Sequence, residues 1–222
     1  MSAKSNLDAD QRRGVKVTVA IVLAFILFVV ASFVYRVQQP RVMSVAEMKI
    51  NGAYMFDTPR NIGDFSLTDH RGEAFTKERF TGKWTLVFFG FTHCPDVCPT
   101  TMTFLSDLMQ ALEGTEVEDT QVVMVSVDPA RDTVAVLAEY VPYFNPEFIG
   151  VTGEFLDIHR FATALNTPFR KTPGQGDDYQ VDHSANVVLI NPRGDYHGFF
   201  KAPLDLAKMK VTYRSARVWW NQ

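Results

Sequence analysis

The chain has 222 residues, with 22 basic and 25 acidic side chains and a formal net charge of −3. That length fits one folded domain plus an anchor. No long basic run, internal repeat or low-complexity tract is present, which argues against nucleic acid as a partner.

Residues 17–35 run nineteen positions without a charged side chain. Such a stretch is long enough to cross a bilayer as a helix and long for a signal-peptide core. No small-x-small cleavage pattern follows it before Arg36. The expectation is an uncleaved single transmembrane helix over 17–35, weighed against a cleaved signal and a buried core helix. Lys4, Arg12, Arg13 and Lys16 precede the span and Arg36, Arg41 and Lys49 follow it. This slight bias makes residues 1–16 a cytoplasmic tail. Asp8 and Asp10 set the leader apart from an acid-poor transit peptide. The expected location is therefore a bacterial plasma (inner) membrane, with the folded part on the periplasmic side. Residues 36–59, broken by Pro40 and Pro59, are expected to form a linker with some order. Residues 60–222 then form the folded domain.

A hairpin is predicted over 65–76, with His70 as a turn residue. The apolar run that begins at Trp84 reads as a buried strand over 84–91. It leads into Gly90-Phe91-Thr92-His93-Cys94-Pro95-Asp96-Val97-Cys98-Pro99-Thr100, and a helix is predicted over 100–112. A strand over 121–127 follows, then a helix over 133–143 capped by Asp132 or Thr133. Next come a short strand over 148–151 and a helix marked by Phe155, Ile158, His159, Ala162 and Leu165, with His159 read as a core histidine. Residues 166–184 form a long connection interrupting the fold. A strand over 186–190, a turn, a strand over 196–200 and a helix from about Leu204 close the chain. Strands alternating with helices and ending in a hairpin predict an α/β fold. The order, with cysteines at the first strand-to-helix turn, predicts a thioredoxin-like domain.

Cys94 and Cys98 are the only cysteines. A disulfide between them closes so small a loop that it constrains the unfolded chain little, which makes a stapling role a poor use of the pair. Redox chemistry, metal binding, or both remain. A helix N-terminus at Cys98 is expected to lower its pKa and favour thiolate. The long connection ends in Val181-Asp182-His183-Ser184, just before the strand at 186–190. In thioredoxin-like topology that strand neighbours the cysteine-bearing one, which makes His183 a candidate third ligand. Two cysteines and one histidine suit copper, thiolates favouring Cu(I) and imidazole accommodating Cu(II). Zinc is the competitor, with Asp182 adjacent as a weak fourth candidate. His93 is read as a local tuner of the thiols, and His197 has no evident partner. A peroxiredoxin-like reading fails on the spacing around Cys94.

Four motifs together resemble the Sco/SenC family over residues 60–200. They are Gly90-Phe91-Thr92-x-Cys94-Pro95-Asp96-x-Cys98-Pro99, Val125-Ser126-Val127-Asp128-Pro129-x-Arg131-Asp132-Thr133, Phe148-Ile149-Gly150-x-Thr152-Gly153 and Val181-Asp182-His183-Ser184. The resemblance implies a thioredoxin-like domain held by one N-terminal helix, binding one copper ion per chain, Cu(I) or Cu(II), through Cys94, Cys98 and His183. It implies a metallochaperone that assembles the binuclear copper site of cytochrome c oxidase, by delivering copper, by reducing the target's cysteines, or both. The implied partners are the copper-bearing oxidase subunit and a copper donor or thiol reductant protein. The alternative is a thiol-disulfide oxidoreductase, with Cys94 and Cys98 as its catalytic redox pair and incidental copper binding. Asp128 falls in the second motif, where its plain role is to end a strand and start a turn with Pro129.

Overall fold

The structure is a computed structural model that describes residues 9–38, 42–175 and 178–220. The chain divides into two units, residues 1–41 and 42–222. In the first, helix α1 (Ala9–Gln38) carries an apolar segment, Arg12–Val37, long enough to cross a membrane. Its 26 residues rise about 39 Å against a hydrocarbon core of about 30 Å. The uncharged stretch at 17–35 lies inside it. The expected tail, residues 1–16, lies partly outside the described residues.

The second unit begins earlier than the sequence indicates. Part of the expected linker is folded: helix α2 (Val45–Ile50) and strand β1 (Ala53–Asn61). Ser44 starts α2 through a capping box, its Oγ accepting from Glu47 N at 3.3 Å while its own N donates to Glu47 Oε2 at 2.9 Å. Pro59 does not break this segment, because β1 is an edge strand whose register shifts between Met55 and Arg60, a setting that tolerates proline.

Strands β2 (Ser66–Asp69) and β3 (Ala74–Thr76) form the predicted hairpin. Strand β4 (Trp84–Gly90) is buried at all seven positions. Helices α3 (Val97–Ala111) and α4 (Thr115–Glu118) lead to β5 (Thr120–Ser126), α5 (Val134–Phe144), β6 (Ile149–Thr152) and α6 (Phe155–Ala164). Then follow β7 (Arg170–Gln175), β8 (Asp178–Asp182), β9 (Val187–Ile190), β10 (Asp195–Phe200) and α7 (Leu206–Trp220). The eight-stranded sheet runs β1-β10-β9-β4-β5-β6-β2-β3. β4, β5 and β6 are parallel, while β9 lies antiparallel beside β4, as the predicted topology requires. The tight β9–β10 turn places Gly194 at φ +78°, which a side chain would resist.

The connection at 166–184 is not irregular: β7 and β8 pair as a separate two-stranded sheet. His159 is not a core residue. The buried face of α6 is Ile158, Phe161 and Ala162, and the exposed His159 ring lies against Phe155 and Phe169. One residue along a helix rotates the side chain by about 100°, which carries His159 off that face. His70 stays in its turn and is structural: its Nδ1 accepts from Gly150 N at 2.9 Å, and its own N donates to Gly150 O at 2.7 Å.

His197, without an evident partner in sequence, is 6% exposed, with its ring edge-on to Trp84 and Trp220. Burial, aided by the Arg193 charge, depresses its pKa to about 4. The unfolded chain then takes up a proton near pH 6.5 that the folded chain refuses, so stability is full above that pH and falls as pH drops toward 4. The shift corresponds to about 3 kcal/mol. Denaturant unfolding at neutral pH and near pH 4 should show the loss in wild type and a loss smaller by about that amount in His197→Phe. Parallel pH curves for the two proteins would contradict this assignment.

Candidate metal centre

The end of β4 delivers the cysteine turn. Gly90 is required there: a Cβ would come to 2.7 Å from the Phe88 ring and 3.1 Å from Cys98 Sγ. Helix α3 begins at Val97, earlier than predicted, so Cys98 lies in its first turn and is fully buried. Cys94 is half-buried in the preceding turn, its Sγ accepting from Cys98 N at 3.4 Å. Both are free thiols. Strand β9, paired beside β4, brings in the segment that precedes it, and His183 Nε2 lies 3.5 Å from Cys98 Sγ. The ligand atoms of Cys94, Cys98 and His183 all fall within 4.8 Å of one another. They are the one such cluster among the described residues. Asp182 is not brought in; it is exposed and faces Arg170 at 3.7 Å.

The electrostatics differ from the sequence expectation at Cys98. Desolvation, with the neighbouring Cys94 and Asp132 adding to it, pushes this thiol well above its ordinary range. The helix N-terminus does not outweigh burial, so Cys98 keeps its proton until something displaces it. Burial lowers the pKa of His183 against the opposing pull of the Ser184 carbonyl. That carbonyl lies 3.1 Å from His183 Nδ1 and selects the tautomer with hydrogen on Nδ1. The Nε2 lone pair then faces the sulfurs. Phe88 and Phe91 flank the imidazole edge-on and exclude water from that side. Two sulfurs and a neutral imidazole nitrogen, oriented from behind, make a set that could hold one soft metal ion.

A single loop after β5 holds both halves of this cluster, a role that sequence reasoning does not assign to it. Thr133, not Asp132, caps α5, accepting from Val136 N at 3.3 Å. Asp132 is fully buried and holds the cysteine turn instead. It accepts from Thr92 N at 3.1 Å, Thr92 Oγ1 at 2.6 Å and Ser126 Oγ at 2.7 Å. Asp128 does more than end a strand. It accepts from the Tyr179 hydroxyl at 2.6 Å and from Arg131 Nε. The Arg131 guanidinium sits 3.8 Å over the Tyr179 ring and donates to the Tyr179 carbonyl at 3.0 Å. These contacts clamp the β7–β8 hairpin, which leads directly into His183. His93, the expected tuner of the thiols, is exposed; its Nδ1 lies 3.0 Å from Thr92 Oγ1 and 4.0 Å from Asp132. The role of Asp132 becomes visible only through its half-buried partner Thr92, 40 residues away, and a single sequence does not display such a pairing.

The fold and the cluster define an α/β domain of thioredoxin type with a two-cysteine, one-histidine site at its first strand-to-helix turn. The SCO1/SenC family model matches residues 55–215. The chain belongs to the SCO1/SenC family. It is 40% identical over 147 residues to a Stutzerimonas stutzeri protein named for copper binding, covering 66% of this chain and 72% of that one. It is 41% identical over 141 residues to the mitochondrial SCO2 homolog of Mus musculus, covering 61% of this chain and 55% of the mouse protein. The chain thus matches about half the length of that mitochondrial relative. The crystal structure of Arabidopsis thaliana ScoI with copper bound superposes with a TM-score of 0.65 at 35% identity, covering 71% of this chain and 98% of that one.

Proposed function

We propose that this chain is a membrane-anchored copper carrier that serves assembly of the binuclear copper site of cytochrome c oxidase. One copper ion per chain is the cargo, held by Cys94, Cys98 and His183. The observation that carries this reading is the position of His183 Nε2, 3.5 Å from Cys98 Sγ. A dithiol enzyme has no need of that imidazole. The residues fit the ion: soft sulfurs for Cu(I), an imidazole that also accommodates Cu(II), and no hard oxygen ligand in the cluster. Copper supplies a Lewis-acid centre for thiolates and exchanges between sets of them. Cys94, the half-buried sulfur, is the one an incoming ligand can reach, while buried Cys98 and oriented His183 keep their places.

A second use of the same pair is favoured by both cysteines being free. Cys94 thiolate would attack a disulfide of the target, forming a mixed disulfide and releasing one target thiolate. Cys98 would then displace the second. The target gains two electrons and two protons, and this chain ends with a Cys94–Cys98 disulfide.

The location that fits is a bacterial plasma membrane crossed once by α1, with the N-terminus cytoplasmic and residues 42–222 on the periplasmic side. The support is the basic side chains Arg12, Arg13 and Lys16 before the uncharged stretch at 17–35.

His183→Ala separates the two uses. Two thiolates retain Cu(I) better than Cu(II), so the substitution should weaken Cu(II) binding more strongly than Cu(I) binding. In a strain carrying His183→Ala as its only copy, oxidase activity should fall when copper is scarce and recover in part with added copper. Full activity under copper limitation would leave thiol reduction as the task.

A further inference from the structure

Beside the metal centre lies a groove whose lining includes none of the three candidate ligands. Val97, between the two cysteines in sequence, and Ala185, two residues past His183, form one end of a cavity of about 500 Å³. Phe104 and Leu204 form its walls, and Val97 is 43% exposed. Ala202, Pro203 and Leu204 also line a second cavity, of about 310 Å³, together with Lys49, Lys201 and Lys208. The shared floor is held on both sides. Ala202 N donates to Asn186 Oδ1 at 3.1 Å, and Lys201 N donates to Gly52 O at 2.8 Å. It is thus tied to the segment that carries His183 and to the α2–β1 turn.

The three lysines are exposed, and among the described residues none of their ammonium groups lies in an ion pair. Asp205, the acid in the same cavity, accepts from Lys208 N at 2.9 Å and caps α7. Apart from Asp96 beside Val97, no charged residue lines the first cavity, so a local excess of positive charge stands at the far end of a largely apolar groove, on a chain whose net charge is −3. Transfer of an ion from Cys94 needs the receiving ligands within bonding reach of that sulfur, which brings a receiving protein against the neighbouring surface, where Val97 lines the groove.

We propose that the groove running from the metal centre to Lys49, Lys201 and Lys208 is the docking surface for an extended segment of the copper-receiving protein. Apolar side chains of that segment fill the groove beside Val97 and Phe104, and its acidic side chains meet the three lysines. This docking rests on the copper-transfer reading above. Opposite charges raise the rate of encounter and fix the register, while the apolar stretch supplies contact area next to the ion.

The test uses the full chain in detergent micelles, loaded with Cu(I), and titrated with the metal-free soluble copper domain of the oxidase subunit. The Lys49→Glu, Lys201→Glu, Lys208→Glu triple variant should load copper as wild type does. It should bind the domain at least about tenfold more weakly at low salt, and the gap should narrow several-fold near about 0.5 M salt, where screening is strong. The matching triple arginine variant should bind like wild type. Thr100→Arg adds positive charge but fills the groove with a long side chain, so it should weaken binding at both salt concentrations. Equal binding by wild type and the triple glutamate variant, or by wild type and Thr100→Arg, would overturn the docking surface and leave the copper reading standing. Loss of copper loading in these variants would assign the residues to the metal centre instead and also overturn it. Failure of wild type itself to bind the domain would bring down the copper-transfer reading and this inference together.

Discussion

Replacing Cys94 and Cys98 together by serine should take tight Cu(I) binding from one ion per chain to none. The hydroxyl is a hard, protonated oxygen at neutral pH, whereas Cu(I) selects soft sulfur. Loss of an outer-shell partner alone costs metal sites about 10–100-fold in affinity. Loss of two direct ligands from a three-ligand cluster exceeds that, leaving only His183. Fully buried Cys98 tolerates the change sterically, because serine is smaller than cysteine. The fold should persist, with unfolding shifted by about 1–2 kcal/mol for the buried hydroxyl. Titration against a Cu(I)-selective chelator reads the effect. Stoichiometric tight copper in the double variant would place the site elsewhere.

Asp132→Ala should destabilise residues 42–222 by about 3–5 kcal/mol, more than any single ligand substitution. The carboxylate is fully buried and accepts from Thr92 N, Thr92 Oγ1 and Ser126 Oγ. Alanine leaves the fully buried Ser126 hydroxyl and the two half-buried Thr92 donors without their acceptor, and a buried donor without a partner costs about 1–3 kcal/mol. The Asp132→Asn variant keeps one acceptor oxygen but presents an amide donor to groups that are themselves donors, so it should recover only part of the loss. Because Thr92 lies two residues before Cys94, the alanine variant should also weaken copper binding in the protein that remains folded. Urea unfolding and copper titration on the same samples measure both. A loss under about 1 kcal/mol would mean that the turn is held by other contacts.

A single sequence displays the first of these two sites and hides the second. Cys94, Cys98 and His183 are legible because cysteine is rare in this chain and because strand order places 186–190 beside 84–91. The core strands are legible because their apolar runs are short and bounded by turn residues. Strand β1 is hidden because Pro59 sits at a register shift on a sheet edge. The β7–β8 hairpin is hidden because Pro173 and Gly174 give a strand the composition of a loop. Asp132 and Tyr179 do not show themselves as parts of the site because their partners lie 40 and 51 residues away. The thiol of Cys98 shifts opposite to the sequence expectation for a related reason. A helix N-terminus is visible in sequence, whereas complete desolvation is visible only once β4, α3 and the His183 segment have closed around the sulfur.

The most direct measurement is X-ray absorption at the copper edge on the full chain loaded with one equivalent of copper, beside the Cys94→Ser and His183→Ala variants. The expected shell holds two sulfurs and one imidazole nitrogen, falling to one sulfur in Cys94→Ser and losing the imidazole in His183→Ala. A shell of nitrogen and oxygen alone, or one that neither substitution changes, would contradict copper ligation by Cys94, Cys98 and His183.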